Sequence, residues 1–128
     1  MTTSPGSEQN RVHRERESAL ERAFRECSQA NWDGYGAAPA SESAMEWARR
    51  LLAALPRRVG VPEVAFEPDG DAGLEWWRGP DRVLCVSVGR NGELRYAARL
   101  NTARIVRTEM FARRLPRHLV ETALELAK

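Results

Sequence analysis

The sequence predicts an α+β fold with two N-terminal helices, an antiparallel meander sheet of four or five strands, and a C-terminal helix. Three observations carry this prediction. Apolar residues recur at helical spacing before Pro56, alternate with a period of two after Pro62, and return to helical spacing after Pro116. Short turn sequences separate the alternating segments, which favours antiparallel neighbours. Helices grouped at the two ends of the chain then pack on one face of the sheet.

The composition fits one domain exposed to water. The chain has 128 residues, of which 42% are hydrophobic and 30% are charged, and one core commonly serves roughly 100–150 residues. No run approaches the ~20 apolar residues that span a bilayer, and residues 1–10 lack the apolar segment of a secretion signal. We therefore expect a cytoplasmic protein with no membrane partner. Residues 1–12, small or polar, are expected to form a disordered tail, and 13–128 a single α+β domain.

Two amphipathic patterns predict the N-terminal helices. The first helix begins near Arg14 and carries Leu20 and Phe24 on its apolar face. The second begins at Ser41, a residue type that caps helix N-termini, and ends at Pro56. Its apolar face consists of residues three or four positions apart: Ala44, Ala48, Leu51 and Leu55. Each helix therefore has one side to bury against the sheet.

Alternating apolar residues predict the strands. The four clearest segments are Glu63–Glu67, Gly73–Arg78, Arg82–Val88 and Glu93–Arg99. Asn91-Gly92 separates the last two and predicts a type I′ turn, in which both central residues have positive φ. Residues 103–111 follow neither period cleanly, and we expect them to form a fifth strand. The last helix begins after Pro116, because proline is tolerated in a first helical turn.

The alternation also predicts two different sheet faces. The core face carries almost only apolar side chains: Val64, Phe66, Leu74, Trp76, Leu84, Val86, Val88, Leu94 and Tyr96. The other face mixes charges with an indole and small apolar groups. We predict that it binds a partner through Trp77, Val83, Cys85, Arg95 and Arg99, since an apolar centre with a polar rim is typical of protein interfaces. A helix covering this face would instead bury Trp77.

An arginine-rich segment supports an alternative function. Residues 90–117 contain eight arginines and two glutamates, although the whole chain has a net charge of only +2. Arg95, Arg99, Arg104 and Arg107 would bind the phosphates of a single-stranded nucleic acid while Trp77 stacks on a base. No helix-turn-helix or RNA-binding signature accompanies them.

Few residues have the pattern of a catalytic or metal site. The chain lacks a phosphate-binding glycine loop, a nucleophile elbow and a zinc motif. Its two histidines, His13 and His118, are expected to be exposed, and Cys27 and Cys85 to be buried thiols. Asp69-Gly70-Asp71 is more typical of a turn than of a cation site. We therefore expect a non-catalytic protein with no cofactor and no bound metal.

One catalytic alternative stays open. Asp33, Tyr35 and Glu75 would form a small hydrolase site if the fold brought them together, and a sequence cannot show such convergence.

Two sequence strings stand out. The first is Asn31-Trp32-Asp33-Gly34-Tyr35-Gly36-Ala37, and the second is Asp71-Ala72-Gly73-Leu74-Glu75-Trp76. We interpret the first as a structural motif in which Asp33 accepts hydrogen bonds from backbone amides. Its glycines allow unusual φ, while Trp32 and Tyr35 pack over the joint between helices and sheet.

Together the two strings resemble a group of small uncharacterised bacterial proteins with a WDGYGA-like motif, a later DGG-like turn and an LEW strand. The likeness spans Asn31 to Tyr96. Here the turn reads Asp69-Gly70-Asp71-Ala72-Gly73, and Trp77 lies outside the shared pattern. The resemblance implies an accessory protein with an antitoxin-like, immunity or defence-associated role. The surface around Trp77 itself predicts a protein partner, which could be a toxin, an effector or a second copy of the chain.

Overall fold

The computed structural model describes residues 5–128, with side chains described from Asn10 onward. The helices are α1 (Pro5–Glu26), α2 (Glu42–Ala54) and α3 (Arg117–Leu126), and a short 3-10 turn covers Arg57–Val59. The strands are β1 (Glu63–Phe66), β2 (Ala72–Gly79), β3 (Arg82–Val88), β4 (Glu93–Leu100) and β5 (Ala103–Met110). No helix within residues 5–128 combines the length and the apolarity required to cross a membrane.

The strands form one antiparallel meander in the order β1-β2-β3-β4-β5. The α+β prediction is therefore confirmed, with five strands. All three helices pack on the same face, where α1 contacts β1, α2 contacts β2 and β3, and α3 contacts β3 and β4. The side chains on that face are buried, including Trp76, Leu84 and Tyr96. The core thus lies between one helical layer and one side of the sheet.

The fifth strand was ambiguous in sequence because it is an edge strand beyond the helical layer. None of its residues is fully buried, and Val106 is 84% exposed. Ile105 is the one apolar residue of this strand that packs against the core, so the strand shows little apolar alternation. The chain leaves the strand at Phe111, whose buried ring packs against Trp47 with 5.4 Å between the ring centroids.

Helix α1 begins earlier than predicted. Residues 5–12 belong to the helix, whereas the sequence predicted a tail through residue 12, and residues 1–4 lie outside the described part. Extending an existing helix costs far less than starting one. Pro5 occupies the first turn, where proline is tolerated.

The β3–β4 hairpin is present, but its turn is not type I′. Of the two central residues of the predicted turn, Asn91 and Gly92, only Gly92 has positive φ, at 83°. Asn91 therefore does not adopt the predicted conformation. Gly89 N–H donates to Glu93 O at 2.9 Å, and Gly92 N–H donates to Gly89 O at 3.1 Å. This is a longer loop in which a left-handed glycine completes an ordinary turn. The site is also crowded, since a Cβ on Gly92 would lie 2.9 Å from Phe111 O.

A buried arginine joins α1 to the end of α2. Arg16 is 2% exposed, and its Nη1 donates to Leu52 O at 2.8 Å and to Leu55 O at 2.9 Å. Its Nη2 donates to Pro56 O, and its Nε donates to Gly60 O, each at 2.9 Å. The last carbonyls of a helix lack intrahelical donors and carry partial negative charge. One guanidinium therefore satisfies the α2 C-terminus, although burial lowers the pKa of Arg16.

We expect Arg16→Met to lower the free energy of unfolding by about 3 kcal/mol, because it leaves buried carbonyls without donors. Arg16→Lys should restore only part of the loss, since an ammonium cannot reproduce the planar fork. Urea unfolding checks both changes. Arg14→Met, at an exposed α1 position, is the matched control, and equal stability of the two methionine variants would contradict the assignment.

Candidate protein-docking face

The sheet face opposite the helices, here called the outer face, carries all five predicted partner-binding residues. The strand register arranges its side chains in three cross-strand rows. The Trp77 row contains Trp77, Val83, Arg99 and Arg104. The Cys85 row contains Glu63, Glu75, Cys85, Ala97 and Val106, and the Ser87 row contains Ala65, Gly73, Ser87, Arg95 and Thr108.

The outer face is uncovered in the described part of the chain. Trp77 is 63% exposed, as its position in the alternation predicted, while the neighbouring Trp76 is buried on the core face. The Trp76 Nε1 donates to Gly60 O at 3.3 Å, the same carbonyl that binds Arg16. Two adjacent indoles therefore have opposite environments because successive strand residues point to opposite faces.

Two shallow hollows lie beside the central strand. One, of about 220 Å³, lies between β3 and β5 and is lined by Val83, Ala97 and Val106 with the flanking Arg99 and Arg104. The other, of about 420 Å³, lies over Gly73. A Cβ on Gly73 would lie 2.8 Å from Ala65 O and 3.4 Å from Glu67 Oε1. Neighbouring atoms therefore approach the Gly73 backbone too closely for a side chain there, and the Glu67 carboxylate, which accepts a hydrogen bond from Ser87, gives the hollow beside it an acidic wall.

Charge divides the outer face into two halves. The acidic half, on the β1–β2 side, carries Glu63, Glu67 and Glu75, and the basic half, on the β4–β5 side, carries Arg95, Arg99 and Arg104. Glu93, at the start of β4, is an exception and lies 3.9 Å from Arg95. The face is therefore polarised across the strands around an apolar middle.

The ion pairs on this face leave several charges unmatched. Arg95 Nη2 lies 2.9 Å from Asp71 Oδ2, and Arg99 Nη1 lies 3.9 Å from Asp81 Oδ1. Within residues 10–128, Glu63, Glu75 and Arg104 make no ion pair. Unmatched carboxylates thus lie at one side of the sheet and an unmatched guanidinium at the other.

Cys85 lies at the centre of the middle strand and is exposed, so the prediction of two buried thiols is wrong for it. Cys27 is buried as predicted, and both cysteines are free. Cys85 is exposed because the outer face, unlike the core face, has no helical layer. Partial burial raises the pKa of the Cys85 thiol, and the Glu75 charge raises it further.

The structure separates the arginines of the nucleic-acid alternative. Arg95, Arg99 and Arg104 share the outer face, but Arg107 pairs with Tyr96 across the strands and therefore lies on the core side. Its Nε donates to Glu109 Oε1 at 2.8 Å. The four arginines therefore do not share one face of the sheet, because Arg104 and Arg107 are three positions apart and lie on opposite sides of β5.

A polar cluster that the sequence did not reveal lies beside Arg107. The Tyr96 hydroxyl donates to Glu109 Oε1 at 2.7 Å and lies 3.1 Å from His118 Nδ1. His118 is half-buried, contrary to the prediction, whereas His13 is exposed as predicted. Burial, together with Glu109, raises the pKa of Tyr96. The Tyr96 hydroxyl is thus held in its protonated form as a hydrogen-bond donor. We therefore interpret this cluster as part of the structure and not as a reactive site.

The Asn31–Ala37 loop is largely held by its own side chains, as predicted. Asp33 Oδ1 accepts from Tyr35 N at 2.8 Å and from Ala37 N at 3.1 Å. Asn31 Oδ1 accepts from Gly36 N at 2.7 Å. Positive φ at Asn31, Gly34 and Gly36 makes this compact path possible.

The two aromatic residues of that loop behave differently. Trp32 is half-buried against the core, and its Nε1 donates to Ala38 O at 2.9 Å. Tyr35 is 93% exposed, so the prediction that it packs over the joint is wrong. The hydrogen bonds of Asp33 stay within its own loop, while Glu75 lies on the outer face of β2. The described contacts therefore do not join Asp33, Tyr35 and Glu75 into one site.

For the acidic residues between β1 and β2, the sequence favoured a turn over a cation site. The carboxylates of Glu67, Asp69 and Asp71 lie within 4.8 Å of one another. Asp69 Oδ1 accepts from Asp71 N at 2.9 Å, which closes the turn. Glu67 is hydrogen-bonded to Ser87, and Asp71 is paired with Arg95. These carboxylates already have partners within the chain.

Comparisons with known proteins found no matching family model, no matching curated protein and no matching solved structure. The resemblance of the two sequence strings to small bacterial proteins therefore stays a prediction. The geometry of the outer face is the basis for assigning a function.

We expect a maleimide to modify Cys85 in dilute native protein and Cys27 only after unfolding. The rate at Cys85 should rise with pH through its raised pKa, because the thiolate is the reacting form. Glu75→Gln should speed the reaction near neutral pH, since removing the negative charge lowers the thiol pKa. Mass spectrometry of the labelled peptides measures both rates. Glu93→Gln is the matched control, and equal rates in the two glutamine variants would contradict this account.

Proposed function

We propose that this chain is a non-catalytic interaction module that binds a protein partner through the outer face of its sheet. The observation that carries the proposal is the exposure of Trp77, 63% in a folded chain. Burying an aromatic side chain contributes about 2–3 kcal/mol, so an uncovered indole beside other apolar groups favours association. Tryptophan and arginine are also the residues most enriched at energetic centres of interfaces.

The surroundings of Trp77 support a protein partner. Val83 and Arg99 follow it in the same cross-strand row, and the apolar hollow between β3 and β5 lies next to them. Charged residues lie on both sides of this apolar centre. An apolar centre with a charged rim excludes water from the middle while the rim selects the orientation of the partner.

The chemistry of the outer face supports a non-catalytic role. Its thiol, Cys85, has a raised pKa and is therefore mostly protonated near neutral pH. The cysteine has no histidine in its cross-strand row. The antitoxin-like, immunity or defence role implied by the sequence resemblance would be one biological setting for such a binding module.

The nucleic-acid alternative has less support. Only Arg95, Arg99 and Arg104 face the same side, and the first is already paired with Asp71 at 2.9 Å. The acidic half of the face would repel a phosphate backbone. Titration of a labelled single-stranded oligonucleotide tests this alternative, and tight binding that weakens steeply with salt would transfer the assignment to nucleic acid.

We expect Trp77→Glu to reduce the recovery of the bound protein partner by about tenfold or more, because it places a charge at the apolar centre. The measurement is quantitative co-purification from cells that express tagged and untagged copies of the chain. Tyr35→Glu, which changes an even more exposed aromatic residue in the α1–α2 loop, is the matched control. Both variants should unfold at nearly the wild-type temperature. Equal recovery with the wild type and with Trp77→Glu would refute the proposal.

A further inference from the structure

We infer that the partner of the outer face is a second copy of this chain, packed sheet against sheet about a two-fold axis along β3. The inference rests on the proposed function, because it names the partner of that surface. Its basis is the arrangement of hollows, apolar residues and charges on the two halves of the face.

The number of strands favours an axis along β3. With five strands in sequential order, β3 is the middle strand. A two-fold axis along it places β2 over the partner's β4 and β1 over the partner's β5. Every strand is then covered, and the strands of the two sheets run in nearly the same direction, which is the common packing of two sheets.

Charge selects this axis over the other face-to-face two-fold arrangement. When the axis runs along β3, the acidic half of one copy meets the basic half of the other. An axis across the strands, through the Cys85 row, would place Glu63 and Glu75 against the same residues of the partner. Like charges in contact oppose association, while opposite charges favour it. The polarity of the outer face is therefore self-complementary for one axis only.

The cross-strand rows give the expected contacts. A rotation about an axis along the strands keeps each residue at its own height, so a residue on β2 meets the β4 residue of its own row. Trp77 then lies over Arg99 of the second copy, beside the apolar hollow between β3 and β5. An indole on a guanidinium is a favourable cation–π pair. Glu75 meets Ala97 and lies between Arg95 and Arg99 of that copy.

The second hollow fits the same arrangement. Gly73, Ser87 and Arg95 form one row, so Arg95 of one copy faces the space over Gly73 of the other. That space has Glu67 in its wall. The exposed indole thus lies on a guanidinium beside an apolar hollow, and the Arg95 guanidinium faces an acidic hollow. Because both halves of each pair belong to one chain, the interface is isologous and closes as a dimer.

A charge-swap experiment tests this inference. We expect sedimentation velocity to show that the wild type is a dimer. Either Glu75→Arg or Arg99→Glu should raise the dissociation constant of that dimer by about tenfold or more. An equimolar mixture of these two variants should recover association, because each new charge then faces an opposite charge. Glu21→Arg and Arg22→Glu, at exposed α1 positions, are the matched controls and should dimerise as the wild type does.

Cys85 gives a second readout. The axis passes over its strand, so the two Cys85 thiols should lie across the gap of about 10 Å that separates packed sheets. A short bis-maleimide should therefore join two wild-type chains, and Cys85→Ser should abolish the product. Absence of a covalent dimer from a protein that sediments as a dimer would overturn the axis.

The outcomes separate the two proposals. A monomeric wild type whose other protein partner is lost in Trp77→Glu overturns the second-copy inference and leaves the proposed function standing. A monomeric wild type with no Trp77-dependent partner overturns both. A dimer unaffected by Glu75→Arg and Arg99→Glu, or one that the mixture fails to recover, also overturns the inference, since association would then use another surface such as the β5 edge.

Discussion

The architecture depends on the hydrogen bonds of one buried arginine. Arg16 reaches from α1 to the carbonyls that end α2 and to Gly60, which also binds the Trp76 indole. Both N-terminal helices and the start of the sheet are therefore joined at one point. This junction lies on the core side, where the apolar faces of the helices pack, and no helix of the described residues covers the opposite side. The exposed Trp77 is a consequence of that division.

The local pattern predicted much of the fold because the core imposes it. The alternation in β2, β3 and β4 exists because one face of each strand is buried, and the N-cap at Ser41 exists because its side chain accepts from Ala44 N. The pattern failed in β5, where no residue is fully buried. The sequence pattern also gave no indication of the role of Arg16. A charged residue within the apolar stripe of a helix does not reveal which backbone carbonyls will accept its hydrogen bonds. The turn at Gly92 depends on the approach of Phe111, which is distant in sequence.

The five predicted partner-binding residues share one face of the sheet. This could be predicted because side chains alternate between the two faces along each strand, which is a local property of the sequence. The opposition of acidic and basic halves was not predictable, since it requires the order and register of all five strands. Glu63 and Arg104 become parts of one surface only when β1 and β5 are placed at opposite sides of the sheet. Arg107 lies on the core side because it is three positions from Arg104 on the same strand, and its pairing with Tyr96 agrees with that placement.

The uncovered strand β5 has a consequence for solubility in a concentrated cell. An exposed edge offers unpaired backbone groups to any other extended chain, and Val106 and Met110 make this edge more apolar. Arg104 and Arg107 project from its two sides. Stacking of further copies onto the edge would bring like guanidinium charges together on both sides of the growing sheet. Charge at such positions opposes edge-to-edge pairing of strands.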